Sequence, residues 1–155
     1  MSKLADYAAL ILATMAERPG RTYSASGLAA ETGISLPTAS KLLKTLAHGG
    51  LVVSRRGAHG GYSLGRAPAA ISAVDMIEAV EGPLAMTECT LSAGLCELEP
   101  SCQLGSQWQS LSAAIRRALA EVTLADLVGP PLAPRLSLRR PLRIPIHAEK
   151  AHGHA

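Results

Sequence analysis

The sequence has very few aromatic residues and no phenylalanine. Of its 155 residues, one is Trp and three are Tyr, whereas apolar residues make up 48% of the chain. Because this apolar content comes mostly from Ala, Leu, Val and Ile, it favours helices packed through aliphatic side chains over an aromatic-rich sheet. The length suits one ordinary hydrophobic core, or one core with a projecting helix.

Long hydrophobic runs and the motifs of common enzyme sites are also missing. No uninterrupted apolar run approaches the roughly 18 to 20 residues that a membrane-spanning helix needs. The nearest candidate, residues 4–16, is short and carries Asp6 near its start, so it is a poor signal peptide. The chain shows no nucleophile–base pair and no nucleotide-binding loop. We therefore expect a cytoplasmic protein that makes no use of a membrane and is not an enzyme.

Cysteine is scarce, and its three copies lie in one segment at Cys89, Cys96 and Cys102. An odd number of cysteines without an export signal argues against a disulfide framework and favours metal or redox chemistry. A loop curled by Gly94 and Pro100 would let one segment supply several thiolates, which iron–sulfur clusters prefer. The spacing differs from paired zinc motifs, and no histidine lies nearby. Spacing alone leaves three interpretations open: an iron–sulfur cluster, a zinc ion, or free or redox-active thiols.

Charge is divided unevenly along the chain, although the net charge is only +3. Residues 1–66 carry eight Lys/Arg against three Asp/Glu, residues 67–128 carry two against eight, and residues 129–155 carry five against one. A basic first segment suits a polyanionic partner, and the acidic middle segment does not. Charge alone would equally fit basic residues scattered over a soluble surface.

The first 66 residues carry the pattern of a helix-turn-helix. Apolar residues from Leu4 to Met15 recur at helical spacing and should pack inward. A short helix closed by Gly33 precedes a second one, which Ser35 should cap and Gly49-Gly50 should end. The first turns of such a second helix enter the major groove of DNA, whereas an ordinary helical hairpin is the alternative. The predicted contacts are Pro37, Thr38 and Lys41 with base edges, and Ser40 and Lys44 with phosphates.

A basic hairpin follows directly. Residues 51–54 and 62–64 read as two strands around a glycine-rich turn. A cationic hairpin after a recognition-type helix predicts a wing whose tip reaches the minor groove, and a hairpin that only faces solvent is the alternative. The predicted wing contacts are Arg55, Arg56 and His59. The fold predicted is mainly α with a small β wing: a winged helix-turn-helix followed by a long C-terminal helix.

A nearly heptad apolar stripe marks the region after the cysteines. Because this helix lies outside the winged-helix core, we expect it to pair with its own copy about a two-fold axis. Packing on its own domain is the alternative. The residues predicted at the dimer seam are Leu104, Trp108, Leu111, Ile115, Leu119 and Val122.

Several segments resemble those of a known family. The opening KLADYA, the helix GISLPTASKLLKTL, the run GLVVSRRGAHGGYSLGR and the three-cysteine segment resemble the winged-helix iron–sulfur transcription regulators, the family that includes IscR, NsrR and RirA. Within that family, ISLPTASKLLK and GPLAMTEC are most similar to the branch that regulates SUF iron–sulfur assembly operons. The resemblance covers residues 1–128.

The resemblance implies a homodimeric regulator that binds double-stranded DNA at a palindromic promoter site. We predict that this regulator is a repressor. It also implies a 2Fe-2S or 4Fe-4S iron–sulfur cluster held by the three cysteines. Several relatives place a histidine three residues after the last cysteine, where this chain has Gly105. Asp6 matches an aspartate that is a ligand from the partner subunit in nitric-oxide-sensing relatives, so it is the leading candidate for a fourth ligand. The alternatives are water, a small thiol, Glu88, Glu97 and Glu99.

The predicted organisation has five parts. They are a winged-helix domain (1–66), a connecting helix (67–82), the cysteine segment (83–103), a dimerisation helix (104–128) and a flexible basic tail rich in Pro and Arg (129–155). Two other functions stay open from the sequence. One is a winged-helix repressor with a metal-free thiol switch, and the other is an iron–sulfur carrier or redox protein, which would leave the wing unexplained.

Overall fold

A computed structural model of the chain describes residues 2–57, 60–85 and 104–130. The fold is mainly helical with one small antiparallel sheet, as predicted. In this part of the chain, no helix is long and apolar enough to cross a bilayer. The elements are α1 (Lys3–Ala16), α2 (Ala25–Thr32), α3 (Leu36–His48), β1 (Val52–Arg55), β2 (Gly61–Leu64), a 3₁₀ turn (Pro68–Ala70), α4 (Ala73–Glu81), α5 (Gly105–Ala120) and α6 (Leu124–Val128).

Local sequence signals set the ends of the helix pair α2 and α3. The hydroxyl of Ser24 accepts a hydrogen bond from the Gly27 N–H at 2.9 Å, which caps α2. Gly33 ends α2 with φ of 71°, a left-handed conformation that glycine adopts without steric cost. Ser35 lies at the N-cap of α3, but its hydroxyl bonds the hydroxyl of Thr38 at 2.8 Å instead of a backbone N–H. The turn between the two helices is therefore short and well defined.

One apolar core holds the helices and the hairpin together. Most of its members come from α1, α2, α3 and the start of β1, but three come from beyond residue 66. Burying each such side chain contributes about 1.5–3 kcal/mol. The largest fully buried side chains are Ile11, Leu12, Met15, Leu28, Leu42, Leu43, Leu46, Leu51, Ile71 and Leu124.

The apolar stripe of α1 is only partly buried, unlike the prediction. Leu4 and Tyr7 are 37% and 38% exposed, and Leu10 of the same helix is 45% exposed. Helical periodicity identifies an apolar face but not how much of it the neighbouring elements cover. Asp6 is exposed on this helix, as its spacing from Leu4 predicts. The start of α1 therefore presents a mixed apolar and acidic surface.

The chain returns to the winged-helix core after α5. Ser72 and Thr123 form an isolated antiparallel bridge. Beside it, the Ala73 N–H donates to the Val122 carbonyl at 2.7 Å, and the Leu124 N–H donates to the Ile71 carbonyl at 2.8 Å. Residues 104–128, predicted as a dimerisation helix with a last turn capped by Thr123, thus form two helices, and the second of them contributes a buried leucine to the core.

Two matching caps start the helices on either side of this bridge. Ser72 and Asp75 form a capping box at α4, and Thr123 and Asp126 form the same box at α6. Each serine or threonine hydroxyl accepts from a backbone N–H, and each aspartate accepts from the N-cap N–H. The caps determine where both helices begin. They therefore also determine the positions of Ser72 and Thr123, the two residues that form the bridge.

We expect Asp75→Asn to destabilise the fold in a pH-dependent way. Burial acts to raise the pKa of Asp75, but hydrogen bonds from Ser72 and the charges of Arg66 and Arg116 outweigh it and hold the pKa below the ordinary 3.8. Because the folded pKa is lowered, the carboxylate's stabilisation is complete above 3.8 and is lost as pH falls through the folded pKa. Urea unfolding at pH 7 should show a loss of about 1 kcal/mol.

The same unfolding measurement at pH 2.5 supplies the test of this cause. As the pH falls below 3.8 and towards the folded pKa, the carboxylate's stabilisation is progressively lost, so the difference in unfolding free energy between wild type and Asp75→Asn should be smaller at pH 2.5 than at pH 7. A gap of the same size at both pH values would show that the charge of Asp75 does not stabilise the cap.

Candidate nucleic-acid interface

Helix α3 divides into a buried side and a polar side. Pro37, Lys41 and Lys44 are exposed on the polar side, and Thr38 and Ser40 are half-buried. The helix contains no acidic residue. All five predicted contact residues of this helix therefore retain some access to solvent, and Thr38 already shares a hydrogen bond with Ser35. The buried side consists of Ala39, Leu42, Leu43 and Leu46.

Four exposed cations on α3 and the hairpin form no ion pair within the part of the chain that the structure describes. In that part, the basic residues in ion pairs are Arg21 with Glu31, Arg66 with Asp75, and Arg116 with Glu78. Cations that are not engaged by carboxylates remain available for phosphate, which supplies most of the affinity of proteins for DNA. The four cations, which we call the basic face, are Lys41, Lys44, Arg55 and Arg56.

The hairpin follows α3 almost directly. β1 and β2 pair antiparallel from Val52 with Leu64 to Arg55 with Gly61. Arg55 therefore lies at the last ladder pair, and Arg56 follows it in the turn. The predicted strands are confirmed with shifts of one residue at their ends. His59, the third predicted wing contact, lies outside the described residues.

Tyr23 ties this hairpin to the rest of the domain. Its N–H donates to the Tyr62 carbonyl at 2.8 Å, and the Tyr62 N–H donates back at 2.7 Å. The Tyr23 hydroxyl also donates to the Thr14 carbonyl at 3.2 Å, and the Arg21 guanidinium lies 4.6 Å from the centre of its ring. Sequence patterns missed Tyr23, because a single bridged residue has no alternation to reveal it.

We expect Gly61→Ala to displace the wing. Gly61 has φ of 147°, and a Cβ there would lie 2.5 Å from the Tyr23 carbonyl oxygen and 2.8 Å from Thr22 Cγ2. Because backbone atoms cannot yield as a flexible side chain does, the pairing between Tyr23 and Tyr62 should break. Urea unfolding should show a loss of about 1–3 kcal/mol, and duplex titration should show weaker DNA binding.

Gly57→Ala is the matched control for this variant. Gly57 also has a positive φ, 113°, but no atom would lie within 4 Å of its Cβ. It tests backbone strain without a clash, so its effect on stability should be smaller. Equal effects of the two substitutions would mean that the contact with Tyr23 does not hold the wing.

The candidate metal ligands are not brought together by the described residues. Cys89, Cys96 and Cys102, and the three glutamates named as alternatives, lie outside them. Among the residues that are described, no group of three or more His, Cys, Asp or Glu side chains could hold a metal ion. Asp6 is exposed, and its carboxylate makes no hydrogen bond or ion pair there. The donor set of three thiolates and one free carboxylate is chemically suited to iron.

Helix α5 is poorly covered by its own chain. It packs against α4, where Arg116 pairs with Glu78, but none of its residues is buried. Leu104 and Trp108 are 58% and 36% exposed. The other four predicted seam residues are half-buried: Leu111, Ile115, Leu119 and Val122.

These features define a DNA-binding winged-helix protein of the transcription-regulator class. The helix pair α2 and α3, the anchored hairpin and the basic face are its parts. The chain belongs to the Rrf2 family, described as iron-dependent transcriptional regulators, because the sequence model of that family matches residues 1–130. The expected family is thereby confirmed, at the level of Rrf2.

Individual relatives agree with this assignment. The Mycobacterium tuberculosis H37Rv protein Rv1287, whose name places it among HTH-type transcriptional regulators, is 35% identical over 130 residues, covering 83% of this chain and 81% of that protein. CymR of B. subtilis, the global cysteine regulator of that organism, shares 31% identity with a TM-score of 0.63 over 83% of this chain and 95% of CymR. IscR of T. potens shares 29% identity with a TM-score of 0.59 over 83% of this chain and 85% of IscR.

Proposed function

We propose that this chain is a cytoplasmic, homodimeric repressor that binds a palindromic promoter site and holds an iron–sulfur cluster. Its cluster would report iron–sulfur, iron or redox status, and its target genes would be those of SUF iron–sulfur assembly. The DNA-binding part rests on one observation above all, the basic face of four cations without carboxylate partners in the described chain.

A homodimer is supported by the incomplete burial of α5. A 16-residue helix without a buried residue gains little from its own chain, and isolated helices of this length are marginal in water. The exposed side chains of Leu104 and Trp108 continue the apolar stripe toward the start of the helix. A second copy of the same stripe would cover them about a two-fold axis, which also matches a palindromic DNA site.

The cluster is supported by the donor set and by the description of the family as iron-dependent. Cys89, Cys96 and Cys102 would hold it as thiolates. The free carboxylate of Asp6 would complete the set from the partner subunit. The cluster would supply sensitivity to iron supply, oxygen or small reactive molecules, because a carboxylate is a weaker ligand than a thiolate. The chain itself would provide the ligands of the cluster and the resulting change in DNA binding.

The path of the chain supports coupling between the cysteine segment and the DNA-binding module. Residues 82–104, which include the cysteine segment, join the end of α4 to the start of α5. The far end of α5 is anchored again by the bridge between Ser72 and Thr123. A change in the joining segment would therefore alter how α5, and the partner it pairs with, sits relative to α3. Such a change regulates only if the two states differ in DNA affinity.

Anaerobic purification of the full chain tests the cofactor. Iron and acid-labile sulfide analysis, with absorption and electron paramagnetic resonance spectra, should show a cluster and should report its nuclearity. A colourless protein without iron or sulfide would overturn the cluster part of the proposal. A coloured protein that binds no duplex at moderate salt would overturn the regulator part and favour a carrier.

A metal-free thiol switch is the second candidate. The similarity to CymR favours it, because an oxidised form of Staphylococcus aureus CymR, 27% identical to this chain, is among the similar structures. Under this alternative, mild oxidation of the metal-free chain would change DNA affinity, and substitution of one cysteine would abolish that change. The iron analysis described above separates the two candidates.

We expect Asp6→Ala to shorten the lifetime of the cluster in air without unfolding the dimer. The side chain is exposed and bonds nothing in the described chain, so its removal should cost little stability. The decay of the cluster absorption band measures the lifetime. Glu17→Ala removes another exposed acid, at the other end of α1, and serves as the control. An unchanged lifetime in Asp6→Ala would rule out Asp6 as a ligand.

A further inference from the structure

The first residue of α3 is an exposed leucine. Leu36 is 47% exposed, whereas Leu42, Leu43 and Leu46 of the same helix are 2%, 0% and 0% exposed. Its apolar surface therefore contributes little to the core. Pro37, the next residue, is also exposed, so an apolar patch of two side chains opens the helix.

The surroundings of this patch are basic rather than acidic. Ser40 lies one turn further along the same side of the helix, and Lys41 and Lys44 are exposed beyond it. The helix carries no carboxylate, and neither lysine is engaged in an ion pair within the described residues. An apolar patch bordered by free cations fits a partner that is both polyanionic and locally apolar.

Duplex DNA offers that combination in its major groove. The first turn of the second helix of a helix-turn-helix points at the base edges there. Among the groups on those edges, the C5 methyl of thymine is the apolar one, and apolar side chains contact it. Phosphates flank the groove on both sides and would contact Lys44, whereas Lys41 is predicted at a base edge.

We propose that Leu36, together with Pro37, contacts the C5 methyl group of a thymine in each half-site and so helps to determine sequence specificity. The proposal rests on the proposed DNA binding and deepens it. Leu36 acts by excluding water from the methyl group, so it discriminates thymine from any base that lacks a methyl there. Thymine and uracil differ by this methyl alone, which isolates the contact from every hydrogen bond.

The effect of one methyl group can be estimated. Burying a methyl-sized group stabilises a contact enough to change affinity about fourfold. We expect replacement of the contacted thymine by uracil to weaken wild-type binding about fourfold for each half-site. Other thymines of the site should tolerate uracil without this change.

The experiment begins with duplexes selected from a random pool by the full-length wild-type chain. Each thymine of the selected site is replaced by uracil in turn, and affinity is measured for wild type, Leu36→Ala and Leu36→Met. Leu10→Ala is the matched control, because Leu10 is 45% exposed but lies on α1. Unfolding in urea verifies that each variant is folded.

The proposal predicts one thymine per half-site at which uracil weakens binding by wild type, Leu36→Met and Leu10→Ala, but not by Leu36→Ala. It is overturned if no thymine shows the effect, or if Leu36→Ala keeps it. In both of those cases selected duplexes are still bound, so DNA binding itself stands. If the wild type selects no duplex at all, the proposed function fails and the inference fails with it.

Discussion

Replacing Lys41 and Lys44 together by alanine should lower the affinity for a selected duplex at least about a hundredfold, since a hydrogen bond to a charged group contributes about 1.5–3 kcal/mol for each lysine. Both side chains are exposed on α3, and neither is engaged in an ion pair within the described residues. Because Lys44 is the predicted phosphate contact and would release about one counterion from DNA, whereas Lys41 is predicted at a base edge, the slope of log affinity against log salt should fall by about one. Titrations at several salt concentrations measure both quantities.

A charge-matched control distinguishes specific phosphate contacts from net charge. Lys3→Ala with Arg18→Ala removes two exposed cations from the two ends of α1. The net charge changes equally, but the basic face stays intact, so the affinity and the salt slope should change little. Equal losses in both double variants would mean that α3 does not lie at the DNA.

Leu124→Ala should lower the free energy of unfolding by about 2–5 kcal/mol, the range for truncating a buried leucine. Leu124 is fully buried although it follows the exposed helix α5, and its N–H donates to the Ile71 carbonyl. The loss should also free the end of α5, because the bridge beside it depends on the same packing. Urea unfolding of the full chain measures the loss.

Leu127→Ala provides the comparison for Leu124→Ala within the same short helix. Leu127 is 47% exposed, so its truncation should change the free energy of unfolding by less than about 0.5 kcal/mol. If both variants lost the same small amount of stability, α6 would not be part of the core. Both substitutions leave the cap at Thr123 and Asp126 in place, so helix formation is not itself perturbed.

Features of the fold that depend on neighbouring residues could be predicted from the sequence. Gly33 ends α2, and the pairs Ser72 with Asp75 and Thr123 with Asp126 start helices, because each signal acts over three or four positions. The glycine-rich turn between two strand-like segments likewise predicted the hairpin. The helix pair and the hairpin are the parts of a winged helix, and they suffice to identify one.

Contacts between distant segments could not be predicted in the same way. The bridge of Tyr23 with Tyr62, and that of Ser72 with Thr123, join residues far apart in the chain, and no local pattern states which strands will meet. Periodicity also counts every apolar residue of a helix face as core. It therefore placed Leu4 and Tyr7 inside, where the structure leaves them exposed.

For the candidate DNA-binding residues, too, the sequence indicates local features and only the structure shows contacts between distant segments. Lys41, Lys44, Arg55 and Arg56 could be named from charge and position, since a polar helix face and a hairpin tip are local features. That they make no ion pair within the described chain depends on where Glu31, Asp75 and Glu78 lie, which only the tertiary structure supplies. The exposure of Leu36 at the start of α3 could likewise be recognised only from the structure, which shows which leucines of the helix are buried.

The proposed coupling between the cysteine segment and DNA binding is tested most directly by one titration. The full chain, isolated under argon, is titrated onto its selected duplex before and after removal of the cluster, at one salt concentration. We expect the two forms to differ in affinity by at least about tenfold, a coupling free energy of roughly 1.4 kcal/mol. Equal affinities of a cluster-loaded and a cluster-free protein would contradict a sensor that works through its cluster.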